Sequence, residues 1–303
     1  MNRKGEYAIR YLVSITIICA LAAMSVTVAV AAQKTFPSPA AAVQALQAAV
    51  KVNDTAAIRT ILGPEMDVLW CADPNEDIMQ LQSFGQAMDK MCNVVFRTSD
   101  IAVLYVGAEN YPFPIPLVQQ NGCWRFDTAA GLEEIQCRRV GANELAAIET
   151  CRNYRLAQLE YAQKDCSGGG KCAYAQRFSG PPGGLTGLDF KAIVTPTSLA
   201  EPGVSAPCSA SSTFTNRGYV FKILKGQGPA AAGGRLSYVV DGDMVGGFAL
   251  AAYPQYYGES GVMSFLLGPD GRVYERCLGT NTPSWGASVT EFNPETGWQV
   301  VEE

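Results

Sequence analysis

Histidine is absent from all 303 residues of the chain. Imidazole is the usual general base near neutral pH and the commonest ligand of transition metals. Its absence excludes the Ser-His-Asp and Cys-His arrangements, and zinc would have to be bound by thiolates. We therefore expect neither an enzyme of the common hydrolase types nor a cofactor or metal.

A run of basic residues is also absent. The 23 lysines and arginines are balanced by 28 aspartates and glutamates, which gives a net charge of -5. Proteins that bind nucleic acid present clustered positive charge to the phosphates. Nucleic acid is therefore not an expected partner, and no internal repeat suggests a solenoid.

Charge is missing from one long stretch near the N-terminus. Basic residues up to Arg10 precede the uncharged run Tyr11 to Ala32, which ends in Ala29-Val30-Ala31. This order is typical of a secretory signal peptide, here over residues 1–32. We expect a periplasmic or secreted protein, attached to a membrane only if the segment stays uncleaved.

Export changes the interpretation of the cysteines, of which the chain has 10. Cys19 would leave with the signal peptide, and an oxidising compartment favours disulfides among the remainder. Pairing of Cys123 with Cys137, or of Cys71 with Cys92, is conceivable, but no spacing rule supports either pair.

The part of the mature chain from residue 33 to 140 predicts two short helices followed by antiparallel strands. Ser38 and Asp54 are helix N-caps, and the second helix ends at Gly63-Pro64. A poorly patterned stretch around Trp70 follows. The expected strands are Asn93–Arg97, Ile101–Val106, Ile115–Val118 and Cys123–Asp127, the last two joined by the hairpin signal Asn121-Gly122.

Residues 141–303 predict a long helix, a flexible loop at 178–216 and an antiparallel meander. Asn143 is the expected N-cap of the helix, which runs to about Gln163. Apolar residues on two sides of this helix predict that it is sandwiched between layers. The expected strands are 218–224, 235–240, 247–253, 262–267 and 273–277.

Several stretches resemble a bacterial secreted family, domain of unknown function 2950. They are Tyr111–Val118, Trp124–Gly131, Asn143–Glu149, Gln227–Ala231, Gly246–Leu250, Gly261–Phe265 and Asp270–Tyr274. The resemblance covers most of the mature chain. That family has no assigned activity, so the resemblance implies a compartment and a fold but no function.

The resulting fold class is α+β. The N-terminal half is similar to NTF2-like cones, with a helix pair and an antiparallel sheet. The C-terminal half, a long helix followed by a meander, is similar to pilin-like heads. Neither similarity determines a function.

The stretch Lys164 to Cys172, K-D-C-S-G-G-G-K-C, has two cysteines around three glycines. The family resemblance implies an acid-rich calcium loop here, but this chain keeps only Asp165 of the acids. We expect a disulfide between Cys166 and Cys172 in place of the metal. A redox pair and a metal-thiolate site are the alternatives.

An apolar pocket is the candidate ligand site, since NTF2-like cones often enclose one. Tyr105, Trp124 and Phe126 lie on the strands that could line it, with Trp70 near its mouth. The alternative is that these aromatic residues only fill the core. Pro269-Asp270-Gly271 is interpreted as a hairpin turn rather than as a calcium site.

These observations predict a non-enzymatic envelope protein. It would act by contact with another envelope protein or by binding a small apolar or cell-wall ligand. The alternative is a hydrolase that uses carboxylates or a Ser/Lys arrangement without histidine, and it requires two titratable groups in one cleft. A passive scaffold is a third hypothesis.

Overall fold

A computed structural model describes residues 33–70, 73–179, 187–189, 193 and 211–302. The chain divides into two compact units on either side of the Arg138–Arg139 bond, called unit 1 and unit 2 below. The helices and antiparallel sheets of both units confirm the α+β class. The signal segment and most of the expected flexible loop lie outside the described residues.

Among the residues that the structure describes, unit 1 contains three complete helices, a 3₁₀ turn and a small sheet. Both predicted N-caps are confirmed, because the side chain of Ser38 accepts from Ala41 N and that of Asp54 from Ala57 N. The elements in chain order are α1 Pro39–Lys51, α2 Thr55–Leu62, the 3₁₀ turn Pro64–Leu69, α3 Pro74–Lys90, β1 Cys92–Phe96, β2 Ile101–Val106, β3 Tyr111–Pro112, β4 Leu117–Gln120 and β5 Cys123–Phe126.

Helix α3 follows Trp70 in the poorly patterned stretch to which the sequence analysis assigned no element. Asp73 caps it, Pro74 occupies its first turn, and Glu76 and Asp77 follow there. These are the standard signals of a helix start. Its interior has few apolar residues, and Met88 is the only one that is fully buried, so the hydrophobic pattern did not reveal it.

The sheet of unit 1 has the order β1-β2-β4-β5, with β3 paired to β2. Asn121 and Gly122 have φ values of 51° and 78°, as the predicted β4–β5 hairpin requires. The cross-strand neighbours Ala102, Leu117 and Phe126 share the face that packs into the core.

The longest helix, α4, runs from Thr128 to Ser167, so the prediction that Asn143 caps it is wrong. The Asn143 side chain donates instead to Ser260 O at 3.0 Å, and a tertiary contact takes the place of a cap. The prediction that the helix is sandwiched is also wrong. Tyr154 and Gln158 are fully buried, whereas Leu156 on the other side is 59% exposed.

The described elements of unit 2 that follow α4 are β6 Phe178–Ser179, β7 Leu188–Asp189, β8 Thr213–Asn216, β9 Tyr219–Leu224, β10 Gly226–Gln227, β11 Leu236–Ser237, β12 Val239–Val240, β13 Asp243–Met244, β14 Ala249–Pro254, β15 Met263–Leu267, β16 Val273–Cys277, a 3₁₀ turn Gly279–Asn281, α5 Thr282–Ser288 and β17 Gln299–Val300. The unit is organised around a sheet with the order β17-β16-β15-β14-β9-β8, all antiparallel. The antiparallel sheet is therefore confirmed, but the expected strand 235–240 is a correction: it is split into β11 and β12, which pair with β10 and β13, so that β9 pairs directly with β14. Strands β6, β7 and β8 correct the expected loop, since they fall inside it.

Helices cover both faces of this sheet. The ring of Tyr154 on α4 contacts Phe178, whose ring packs on Phe214 beside Phe221 of β9. On the opposite face, Lys222 Nζ donates to Gly286 O of α5 at 3.3 Å. Within the described ranges, no helix combines the length and the apolar character needed to cross a membrane.

Candidate functional site: a cleft in unit 2

A cleft of about 360 Å³ opens on unit 2 beside the β15–β16 hairpin. Three segments that are distant in sequence form it: the loop that follows β10, the hairpin turn with the start of β16, and the segment after α5. Its lining residues are Gln227, Ala230, Ala231, Ala232, Pro269, Asp270, Tyr274, Phe292 and Pro294.

Gln227 shapes the first wall. Its side-chain Nε2 donates to Ala232 O at 2.8 Å and to Gly234 O at 2.7 Å, while Oε1 accepts from the hydroxyl of Tyr238 at 3.0 Å. The amide group is thus committed to the protein itself. It bends the loop so that three alanine side chains lie along the cleft, which makes this wall apolar.

Phe292 belongs to the second wall. Its backbone N donates to Gly226 O at 2.9 Å, and its carbonyl accepts from Gly228 N at 2.9 Å. A Cβ atom on Gly228 would lie 2.5 Å from Asn293 Cγ, so this close approach requires glycine. The Phe292 ring lies 5.6 Å from that of Tyr274, and the two rings pack together on one side of the cleft.

Asp270 is the charged residue at the rim. Its Oδ2 accepts from the Tyr274 hydroxyl at 2.8 Å, and its Oδ1 accepts from Arg272 N at 3.1 Å. Burial and the hydrogen bond to Asp270 raise the pKa of Tyr274, so its hydroxyl remains a donor at neutral pH. Each carboxylate oxygen can accept more than one hydrogen bond, which leaves acceptor capacity for a ligand.

The sequence did not predict this cleft. Two of its segments, Gln227–Ala231 and Asp270–Tyr274, are among the stretches that carry the family resemblance, and this was the available signal. The turn at Asp270 was interpreted as hairpin chemistry, which its bond from Arg272 N confirms. The contribution of Phe292 could not be predicted, because only the tertiary fold brings the segment after α5 beside β10.

The four predicted ligand-binding aromatic residues do not share one side of the unit 1 sheet. Trp124 and Phe126 alternate with outward residues and are buried in the core, and Trp70 packs against the same core. Tyr105 follows the buried Leu104 on β2, so it lies on the other face, where its hydroxyl accepts from Arg97. Their role in binding stays a prediction.

The predicted disulfide is present between Cys166 and Cys172, with an S–S distance of 1.99 Å. Asp165, the acid retained in this loop, accepts from Ala173 N at 2.9 Å through its side chain. The conceivable pair of Cys123 and Cys137 is not formed, and Cys92 is free. Cys71 lies outside the described residues.

Two carboxylates of unit 2, Glu144 on α4 and Glu275 on β16, are buried. A hydrolase would need its carboxylates to be accessible to the substrate. Glu144 is 3% exposed and Glu275 is 7% exposed. Glu144 Oε1 accepts from Val262 N at 2.8 Å and from Met263 N at 3.0 Å. Burial raises the pKa of Glu144 to about 7, the two amides oppose this effect, and the charge of Glu275 adds to it.

No cluster of three or more acidic or cysteine residues able to hold a metal ion occurs in the part of the chain that the structure describes. The single carboxylate of Asp165 in the Cys166–Cys172 loop agrees with this result. The expectation that the protein has no metal or cofactor stays a prediction.

Fold and site together define an α+β protein of two units with a small, mostly apolar cleft in the second. The chain belongs to the family described as protein of unknown function (DUF2950), whose model matches residues 33–301. No curated protein and no solved structure matches it significantly. The NTF2-like and pilin-like similarities therefore remain analogies.

Proposed function

We propose that the protein is an exported, non-enzymatic binding protein of the bacterial envelope. Its cleft in unit 2 binds a small, largely apolar molecule that carries a hydrogen-bond donor at one end. The observation that carries this proposal is the combination of apolar walls with one carboxylate at the rim.

The size and lining of the cleft support a small ligand. A volume of about 360 Å³ falls within the usual range of small-molecule sites, which are mostly apolar with a few placed polar groups. The alanines, prolines and Phe292 supply the apolar contact. The Gln227 amide and the loop carbonyls it binds already have partners, so the ligand need not satisfy them.

Asp270 determines the polar end of the ligand. Its carboxylate can accept hydrogen bonds but not donate them. The neighbouring Tyr274 hydroxyl already donates one hydrogen bond to this carboxylate. Arg272 Nε lies 4.0 Å from Oδ2 and partly offsets the charge of this carboxylate, but the carboxylate oxygens remain acceptors that an amine or hydroxyl would bind. We therefore favour a ligand with an N–H or O–H group on an apolar body.

The second candidate, a hydrolase, has weaker support. Glu144 and Glu275 interact electrostatically, yet both are enclosed between α4 and the sheet. A general acid or base must reach the atom that reacts. Asp270 is the one carboxylate among the residues that line the cleft, so the cleft does not supply the carboxylate pair that this hydrolase requires.

Export rests on the signal segment at residues 1–32, and the Cys166–Cys172 disulfide supports an oxidising compartment. Neither observation identifies the partner. The ligand class above applies to a free small molecule or to the end of a larger cell-wall component.

The test uses N-phenyl-1-naphthylamine, an apolar probe with one N–H donor, whose fluorescence rises in apolar sites. We expect saturable binding to the mature protein. The change Ala230→Trp places a large side chain in the cleft from an exposed position. It should raise the dissociation constant of the probe by about tenfold or more, equivalent to about 1.4 kcal/mol. Asp270→Asn should raise this constant about fivefold through loss of a charged acceptor.

Ala287→Trp is the matched control, because this exposed alanine of α5 is not among the cleft residues. It should leave probe binding unchanged. Equal binding by the Ala230 and Ala287 variants would exclude the cleft as the site. Native mass spectrometry of the protein purified from its host would then show whether any small molecule is bound elsewhere.

A further inference from the structure

Helix α4 exposes a row of leucines along the part that belongs to unit 2. Leu145 is 45% exposed, Leu156 is 59% exposed and Leu159 is 42% exposed. The opposite side of the same helix is buried against the sheet through Tyr154 and Gln158. Large apolar side chains grouped on one exposed helix face commonly mark a contact surface.

The spacing of this row is that of a coiled-coil seam. Exposed residues occur at 145, 149, 152, 156 and 159, with alternating intervals of four and three. This is the a/d pattern by which two helices pack along a common line. Glu149 and Arg152, both exposed, occupy the middle of the seam between Leu145 and Leu156.

The seam is complementary to itself when two copies run antiparallel. With the two-fold axis between residues 150 and 151, Leu145 of each copy faces Leu156 of the other. The same register places Glu149 opposite Arg152 twice, and Leu159 opposite the exposed Ala142. A parallel arrangement would instead place Glu149 against Glu149 and Arg152 against Arg152, which repel each other.

We propose that this face of α4, residues 142–159, binds a second copy of the same chain as an antiparallel helix pair. The contact is isologous, as in most two-fold homodimers. It spans 18 residues, about 27 Å of helix at 1.5 Å per residue. The leucine pairs supply apolar burial, and the central charges determine the direction and the register.

Sedimentation velocity of the full mature protein over a concentration series tests the proposal. We expect a reversible monomer–dimer equilibrium. Glu149→Arg and Arg152→Glu each place like charges across the seam, so each single variant should raise the dissociation constant by about tenfold or more. The double variant exchanges both charges and should dimerise like the original protein.

Mixing the two single variants provides the sharpest readout. The Glu149→Arg variant carries arginine at both positions 149 and 152, and the Arg152→Glu variant carries glutamate at both. In a mixed pair, each arginine of one copy therefore faces a glutamate of the other. A heterodimer that forms only in the mixture supports charge pairing across the seam, whereas the antiparallel direction is supported by dimerisation of the original protein and its weakening in each single variant. Circular dichroism would confirm that each variant is folded.

Leu156→Glu should abolish the dimer, while Leu236→Glu, at a leucine of β11 that is 49% exposed, is the matched control. A protein that stays monomeric at about 100 µM, far above the micromolar constants of ordinary weak dimers, would overturn the proposal. A dimer that is unaffected by the charge reversals would overturn it as well.

Discussion

The two units differ most in what their cores contain. Among the described residues of unit 1, the buried polar side chain is that of Thr128. Unit 2 buries a larger set, namely Glu144, Thr150, Gln158, Asn216, Gln227, Ser264, Glu275 and Thr282. Apolar packing is tolerant of detail, whereas a buried polar group requires a particular partner. Unit 2 should therefore depend more on individual side chains and on pH.

The largest effect should come from Gln158. Its Oε1 accepts from Ala175 N at 2.8 Å, and its Nε2 donates to Ala175 O at 2.9 Å and to the Tyr154 hydroxyl at 2.8 Å. Gln158→Leu leaves the N–H and the carbonyl of Ala175 unpaired, while the Tyr154 hydroxyl loses one bond and keeps its bond to Ala249 O at 3.4 Å. We expect a loss of about 4 kcal/mol of unfolding free energy. Hydrogen exchange of peptides from each unit would measure it.

Thr128→Val is the comparison in unit 1. The Thr128 hydroxyl donates to Leu62 O, but this carbonyl also accepts from Gln33 Nε2 at 2.9 Å. The variant should therefore lose only about 1 kcal/mol. Equal losses in the two variants would contradict the distinction between the cores.

The second prediction concerns pH and Glu144. Its pKa is about 7 in the folded protein against an ordinary value of 4.5, so the folded state binds this proton more tightly than the unfolded state. The contribution of this group to the free energy of unfolding is fully present below pH 4.5 and is lost as the pH rises through about 7. The expected loss is about 3 kcal/mol.

Glu144→Gln tests the cause. Both amides bind the same oxygen, Oε1, so the glutamine can accept both bonds without a charge. Urea unfolding between pH 5 and 8 should show a decline in unit 2 of the original protein and little decline in the variant. A parallel decline in both would contradict the assignment to Glu144.

The third prediction concerns the disulfide. Cys166 and Cys172 are separated by six positions, and a loop this short restricts the unfolded chain by about 2 kcal/mol. The double change Cys166→Ser with Cys172→Ser should destabilise unit 2 and leave unit 1 unchanged. Cys123→Ser, at an exposed free cysteine of unit 1, is the control.

Non-reducing peptide mapping provides an independent check of this pair. Free thiols at both positions in protein purified from its host would contradict the disulfide. Recovery of one linked peptide that contains both cysteines would support it.

Local signals in the sequence predicted local structure well. The caps at Ser38 and Asp54 and the hairpin at Asn121-Gly122 act within a few residues, and all three are confirmed. Helix α3 was missed because its hydrophobic pattern is weak, although Asp73-Pro74 was a usable start signal. At Asn143 a local signal was misleading: this residue is a favourable N-cap, but its side chain lies within a helix and donates a hydrogen bond to Ser260 O.

The candidate site was less predictable than the fold. Strand alternation already separates Tyr105 from its buried neighbour Leu104, but the face that the core occupies depends on the register of the whole sheet. The cleft requires Gln227, Asp270 and Phe292 to meet from three segments. Only long-range packing brings these segments together.

The sequence by itself determined the α+β class, most antiparallel strands of unit 2, the Cys166–Cys172 disulfide and the membership of its family, because these depend on local patterns and short separations. The tertiary structure decided which side of α4 is buried, where Glu144 finds its two amides, and which residues form the cleft. These features depend on contacts between distant segments, and the energy of such contacts is not encoded in any short stretch of residues.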